Sequence, residues 1–137
     1  GEKRTPVMGC YGIGIGRLAA AVCEAHHDGN GPIWPKAIAP WQLHLCAVRA
    51  DNEEVRLLAD GLYDELQKAG VEVIYDDRNV STGVMFAEAD LLGVPLRVIV
   101  SPRNIKQGIV EVVSRDRTLS LQIGIENAVE NIKKLLA

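Results

Sequence analysis

Leu43-His44-Leu45-Cys46-Ala47-Val48, then Asp51-Asn52-Glu53-Glu54, then Val55 to Gly70, lead directly into Val71-Glu72-Val73-Ile74-Tyr75. This stretch is one strand–helix–strand unit. Its two ends are short and rich in β-branched or aliphatic residues, so each reads as a strand. Between them Val55, Leu58, Ala59, Leu62, Tyr63 and Leu66 recur at helical spacing, so one face of a helix is apolar. Asp51 with Glu54 three residues later looks like a capping box, and Gly70 stops the helix. A strand, a helix and a second strand in this order predict a right-handed crossover and parallel pairing.

Working toward the C-terminus, Asp76-Asp77-Arg78-Asn79 leaves the second strand. A loop through Ser81-Thr82-Gly83 precedes a short helix over Met85–Leu92, closed by Gly93. Leu96–Val100 is apolar enough to be a central third strand. Ile109–Val113 and Thr118–Ile123 flank Ser114–Arg117 and read as a hairpin. Ile125, Ala128, Val129, Ile132, Leu135 and Leu136 mark a closing helix, with Lys133 and Lys134 suited to its dipole.

Toward the N-terminus the chain changes character. Val7–Tyr11 reads as an extended segment, followed by Gly12-Ile13-Gly14-Ile15-Gly16-Arg17. Ile15, Leu18, Ala19, Val22, Cys23 and His26 then predict a helix to about His27. Asp28-Gly29-Asn30-Gly31-Pro32 breaks it, with Gly29 as its cap, and Pro35 and Pro40 mark a stiff linker. The expected organisation is therefore a strand–helix piece over 1–35 and an α/β module over 36–137.

Composition narrows the function classes. The chain of 137 residues is 47% hydrophobic and 24% charged, as expected for a soluble globular protein. No apolar run approaches the ~20 residues of a membrane helix, and the first residues lack a signal-peptide core. Gly1 in place of Met suggests an internal fragment. Cys10, Cys23 and Cys46 form no CxxC pair and read as reduced intracellular thiols, in keeping with a cytoplasmic protein. Cys23, His26 and His27 share a helix face but lack a fourth zinc ligand, so no metal site is expected. The net charge of −3 hides an asymmetry: +2 over 1–50, −8 over 51–93 and +3 over 94–137. This is not a general basic surface for nucleic acid, so any RNA contact must be local.

Gly12, Gly14 and Gly16 sit at alternate positions before Arg17. The spacing matches neither a dinucleotide fingerprint nor a P-loop. It leaves one strand face bare enough for a flat ring, with Arg17 at a helix start, where phosphate oxygens are favoured. The alternative is close packing of a glycine-rich strand on a neighbour.

Met8-Gly9-Cys10-Tyr11-Gly12-Ile13-Gly14-Ile15-Gly16-Arg17-Leu18 resembles motif 3 of class II aminoacyl-tRNA synthetases. His26–Pro35, Ala37–Pro40, Tyr75–Arg78 and Gly83–Pro95 extend the resemblance to prolyl-tRNA synthetases of the bacterial type, in one register along nearly the whole chain. The resemblance implies a C-terminal fragment with an anticodon-binding domain. Its fold would be a three-layer α/β/α arrangement around a five-stranded mixed sheet, order 2-1-3-4-5, with strand 4 antiparallel. It implies that Gly12 and Gly14 leave room for adenine and that Arg17 binds the γ-phosphate of ATP. The full enzyme would use ATP and Mg²⁺ to activate proline and transfer it to tRNA(Pro), and would act as a homodimer. Motifs 1 and 2 of the family have no counterpart here, so no cofactor and no catalysis are expected of these residues alone. The apolar face of helix 15–27 would pack on the catalytic core. Without it the face is expected to fold back onto the module, self-associate or fray.

The resemblance also directs attention to the rim of the sheet. Asp76, Asp77 and Arg78 leave one strand, and Phe86, Glu88 and Asp90 lie on the next helix. Open α/β sheets bind ligands at their C-terminal edge. Carboxylates can accept from guanine N1–H and N2–H, arginine can hold phosphate, and an aromatic ring can stack on a splayed base. The proline anticodon presents two guanines, so acidic groups suit this site. Met85 stands where another branch of the family has a Lys that contacts the anticodon. Simpler roles exist for each residue: Phe86 in the core, Asp76 or Asp77 capping the loop. Two other readings are a non-catalytic accessory or regulatory module and a receiver-like domain holding Mg²⁺ on Asp76 and Asp77.

Overall fold

The computed structural model describes all 137 residues. Five strands form one sheet: β3 (Leu43–Ala47), β4 (Val73–Asp76), β5 (Leu96–Val100), β6 (Ile109–Ser114) and β7 (Ser120–Gly124). Their spatial order is β4-β3-β5-β6-β7. β3 lies at the centre of the crossover region, parallel to both β4 and β5, with Leu43 opposite Val73 and Leu96. β6 runs antiparallel to β5 and β7. This is the mixed sheet expected from the sequence, with the fourth strand reversed. An all-parallel receiver-like sheet is thereby excluded.

Alternation along the strands builds two cores. Leu43, Leu45, Ala47, Val98, Val100, Val110 and Val112 face α2 (Glu53–Lys68) and α5 (Ala128–Leu136). Val55, Ala59, Leu62 and Leu66 of α2 and Ala128 and Ile132 of α5 close that layer. On the opposite face Cys46, Val48 and Ile99 pack on Met85 of α3 (Thr82–Leu92). Fully burying one such aliphatic side chain contributes about 1.5–3 kcal/mol, so the larger layer carries most of the stability.

Local chemistry corrects several boundaries. The cap of α2 is Asn52, not Asp51: its side chain accepts from the amides of Glu54 and Val55 at 2.9 and 3.3 Å. Asn52→Ala should lower the unfolding free energy by about 1 kcal/mol, read from urea midpoints. α3 begins at Thr82, earlier than expected, because Ser81 caps it. A short helix, α4 (Pro102–Lys106), was not legible as apolar periodicity; Ser101 caps it and Pro102 fits its first turn. β7 begins at Ser120 because Asp116 ties Ser114 and Thr118 into a turn, with Arg117 at φ 61°.

The N-terminal part departs further from expectation. Residues 1–14 contain no strand. A strand needs a partner for its backbone groups, and none of these five strands lies beside Val7–Tyr11. α1 (Ile15–Ala25) forms, but none of its residues is buried, so its apolar face does not fold back onto the module. Its C-cap is His26, not Gly29, because residues 27–32 form a two-strand hairpin, β1 (His27–Asp28) with β2 (Gly31–Pro32). Cys23, His26 and His27 therefore do not share a helix face. The stretch Ile33–Pro35 is not a free spacer; Trp34 is hydrogen-bonded to the end of α3.

Candidate nucleic-acid interface

β4 is an edge strand, and α3 covers the sheet face beside it. Between them lies an open cleft of about 530 Å³ lined in part by His44, Asp76, Asp77, Arg78, Glu88 and Leu92. The strand ends at Asp76, which is buried, and Asp77 and Arg78 follow it in the exposed loop, so the strand end sets all three at the mouth of the cleft.

Arg78 is the pivot of the rim. Its Nε and Nη2 donate to the two Asp76 carboxylate oxygens at 2.9 and 2.7 Å, and Nη2 also donates to Glu88 at 2.5 Å. The Arg78 amide donates to Asp76 at 3.2 Å, so the turn is fixed from both backbone and side chain. These bonds hold the Asp76 carboxyl below the usual carboxylate range, with the Arg78 guanidinium the chief cause. The same partners, Asp76 first, raise the Arg78 pKa. Half of the Arg78 side chain remains exposed, and Asp77 forms no ion pair. The rim thus offers a partly open guanidinium, a free carboxylate and the apolar edge of Leu91 and Leu92. Such a set can hold a flat heterocycle on the apolar side while accepting its N–H groups.

His44 was missed at the sequence level, and it forms part of the cleft wall. It is buried, its Nδ1 has no hydrogen-bond partner, and burial pushes its pKa down to about 4. A histidine within the apolar run Leu43–Val48 is the signal that was available. Arg97, directly across on β5, adds to the same effect.

Two residues grouped with the rim lie elsewhere. Phe86 packs against the smaller core, and the Arg97 guanidinium lies over its ring at 5.2 Å from the centroid. One face of the ring is thus already used by a cation. Asp90 is turned toward arginines: it pairs with Arg97, and with Arg117 at 3.4 Å. The structure therefore brings together Asp76, Asp77, Arg78 and Glu88, and separates Phe86 and Asp90 from them.

Gly12, Gly14 and Arg17 lie apart, at the start of α1. Gly14 is its N-cap, and Arg17 sits in the first turn without an ion pair. A Cβ at Gly12 would meet nothing within 4 Å, and one at Gly14 would meet only the Arg17 Cβ. These residues enclose no nucleotide pocket by themselves; they supply at most one open wall. The alternative of glycines forced by close packing has no support in this chain either.

The sequence and the fold match one group of known proteins. Residues 42–135 match the family described as "Anticodon binding domain". The chain belongs to this family. Along its length the anticodon-binding chain is 46% identical to a proline–tRNA ligase of Geobacillus sp. (strain WCH70), over 99% of this chain and 24% of that protein. It is 47% identical to a proline–tRNA ligase of Dehalococcoides mccartyi (strain ATCC BAA-2266 / KCTC 15142 / 195), over 92% of this chain and 22% of that protein. A crystal structure of prolyl-tRNA synthetase from Cryptosporidium parvum, complexed with L-proline and AMP, superposes with a TM-score of 0.76 at 32% identity. That match covers 88% of this chain and 25% of the other. The anticodon-binding chain thus spans about a quarter of the length of these relatives. No helix is long and apolar enough to cross a membrane.

Proposed function

We propose that this chain is the anticodon-reading part of a proline–tRNA ligase, and that it holds the anticodon loop of tRNA(Pro) at the rim formed by Asp76, Asp77, Arg78 and Glu88. The observation that carries the reading is the cleft itself: a fixed guanidinium between two carboxylates, next to a free carboxylate and an apolar edge. Asp77 accepts from the N1–H and N2–H of a guanine, and Arg78 turns its exposed side to the RNA backbone. The first residues to test are Asp77 and Arg78, because Asp76 and Glu88 are already engaged by Arg78. In this reading the parent protein activates proline with ATP, with Arg17 on the γ-phosphate, and works as a homodimer.

Two measurements bear on this. A proline anticodon stem-loop should bind the chain, and changing either guanine should cost about 1–3 kcal/mol, seen in a titration at fixed salt. Equal binding of an unrelated hairpin at moderate salt would reject the specificity. The chain by itself should give no ATP–pyrophosphate exchange, because adenylation needs several charged groups held around the reacting atoms together. Exchange by the purified chain would overturn the assignment of catalysis to other parts of the protein.

A further inference from the structure

The segment His26–Pro35 is a marked motif to which neither RNA reading nor ATP gives a task, and its contacts converge on a single place. α3 ends at Leu92, with Gly93 as its left-handed cap. The last carbonyls of a helix have no partner within it. Here two of them, and the carbonyl of the cap residue Gly93, accept from donors outside the helix. Arg115 Nε donates to Asp90 O at 3.0 Å, Trp34 Nε1 to Leu92 O at 3.1 Å, and the Trp34 amide to Gly93 O at 3.2 Å.

Arg115 connects this helix end to the β1–β2 hairpin. Its side chain is 1% exposed. Nη1 and Nη2 donate to the two oxygens of Asp28, each at 2.8 Å, and Nη2 also donates to Gly31 O at 3.1 Å. Four of its five N–H donors are thereby used, in the planar fork geometry that lysine cannot reproduce. The hairpin also lies very close to α3: a Cβ on Gly31 would stand 2.9 Å from Asp90 O. At the other end of the hairpin, Ile33 N donates to His26 O at 2.8 Å, directly after α1.

We infer that His26–Pro35, with Arg115, is a joint that fixes α1 relative to α3. Asp28, Trp34 and Arg115 are its positioning residues. Residues 27–34 then fold with the α/β module, and α1 with Arg17 stands out from it at a set angle. Adjacent units joined by a plain linker move freely by default; a bidentate ion pair on the buried Arg115 and three capped carbonyls remove that freedom. The functional meaning rests on the anticodon reading above: the joint would give the helix bearing Arg17 a defined orientation to the rim that holds RNA.

The test measures geometry, and needs no RNA. Spin labels are placed on Ala21→Cys of α1 and Glu65→Cys of α2, in a background with Cys10→Ser and Cys23→Ala; Cys46 is buried. The parent chain should give one narrow distance distribution. Asp28→Ala and, separately, Trp34→Ala should broaden it roughly twofold or more, as for units released from their contact. Trp34→Ala is included because Asp28→Ala removes the bidentate counter-ion of Arg115 and leaves only Asp90 beside it, whereas the Trp variant changes no charge. Both labels lie outside the altered contacts, and a role in stability alone would lower the melting temperature without widening the distribution. A broad distribution in the parent chain, or an unchanged width in both variants, overturns the joint. Failure of the stem-loop to bind would leave this result standing and would instead reject the anticodon reading.

Discussion

Lowering the pH from 7 to 4 should remove about 3 kcal/mol of folding stability through His44 alone. His44 is 2% exposed, and its pKa falls from 6.5 to about 4 in the folded chain, with burial the first cause and Arg97 the second. Between these two values the unfolded chain holds a proton on this group and the folded chain does not. Stability therefore rises with pH across this window, is fully present above about 6.5, and is lost by about 4. Asp76 works in the opposite direction on the His44 charge but does not reverse the shift. The depressed Asp76 carboxyl contributes stability above its ordinary value of 3.8 and loses it only at lower pH, so the two effects occupy different windows. Urea unfolding at a series of pH values should show the slope in the parent chain and a much shallower one between pH 6.5 and 5 in His44→Gln, with carboxylates such as Glu130 and Asp76 adding their own slope only toward pH 4. An equal slope in both proteins would remove His44 as the cause.

Gly93→Ala should be comparably damaging, at about 3 kcal/mol if the hairpin stays docked. Gly93 has φ 70°, a conformation that costs an L-residue about 1–2 kcal/mol. The added methyl would also lie well inside contact distance of the Pro32 carbonyl, a backbone atom with little room to move. The clash can be relieved by letting the β1–β2 hairpin lift away, which breaks the Trp34–Gly93 bond. Either outcome is measurable: a lower unfolding midpoint, or rapid amide exchange at Ile33 and Trp34 with the sheet still protected. Gly70→Ala is the useful comparison, since Gly70 has φ 79° but open space around its Cβ. It should lose only the conformational part. Equal effects of the two substitutions would show that crowding at Pro32 contributes nothing.

Local pattern carried most of the fold. The strand–helix–strand run from Leu43 to Tyr75 fixed parallel pairing, because an apolar helix face must pack on the sheet between the strands it joins. The hairpin from Ile109 onward fixed the reversed strand. At the rim, Asp76–Arg78 and Glu88 could be placed together because a strand end and the next helix are neighbours in such a fold. Phe86 and Asp90 could not be sorted in the same way. Their roles depend on Arg97, Arg115 and Arg117, which arrive from one later strand and from the turn after β6.

The order and type of the main elements, and the apolar faces that bury them, are written locally, since periodicity and turn residues act within a few positions. Folding in space, by contrast, is what buries His44 beside Arg97, brings Asp28 to Arg115 across 87 positions and sets Trp34 on the end of a helix 58 residues away. Such contacts satisfy buried donors, acceptors and charges, and their partners are set by where the chain returns in space, which no local pattern records.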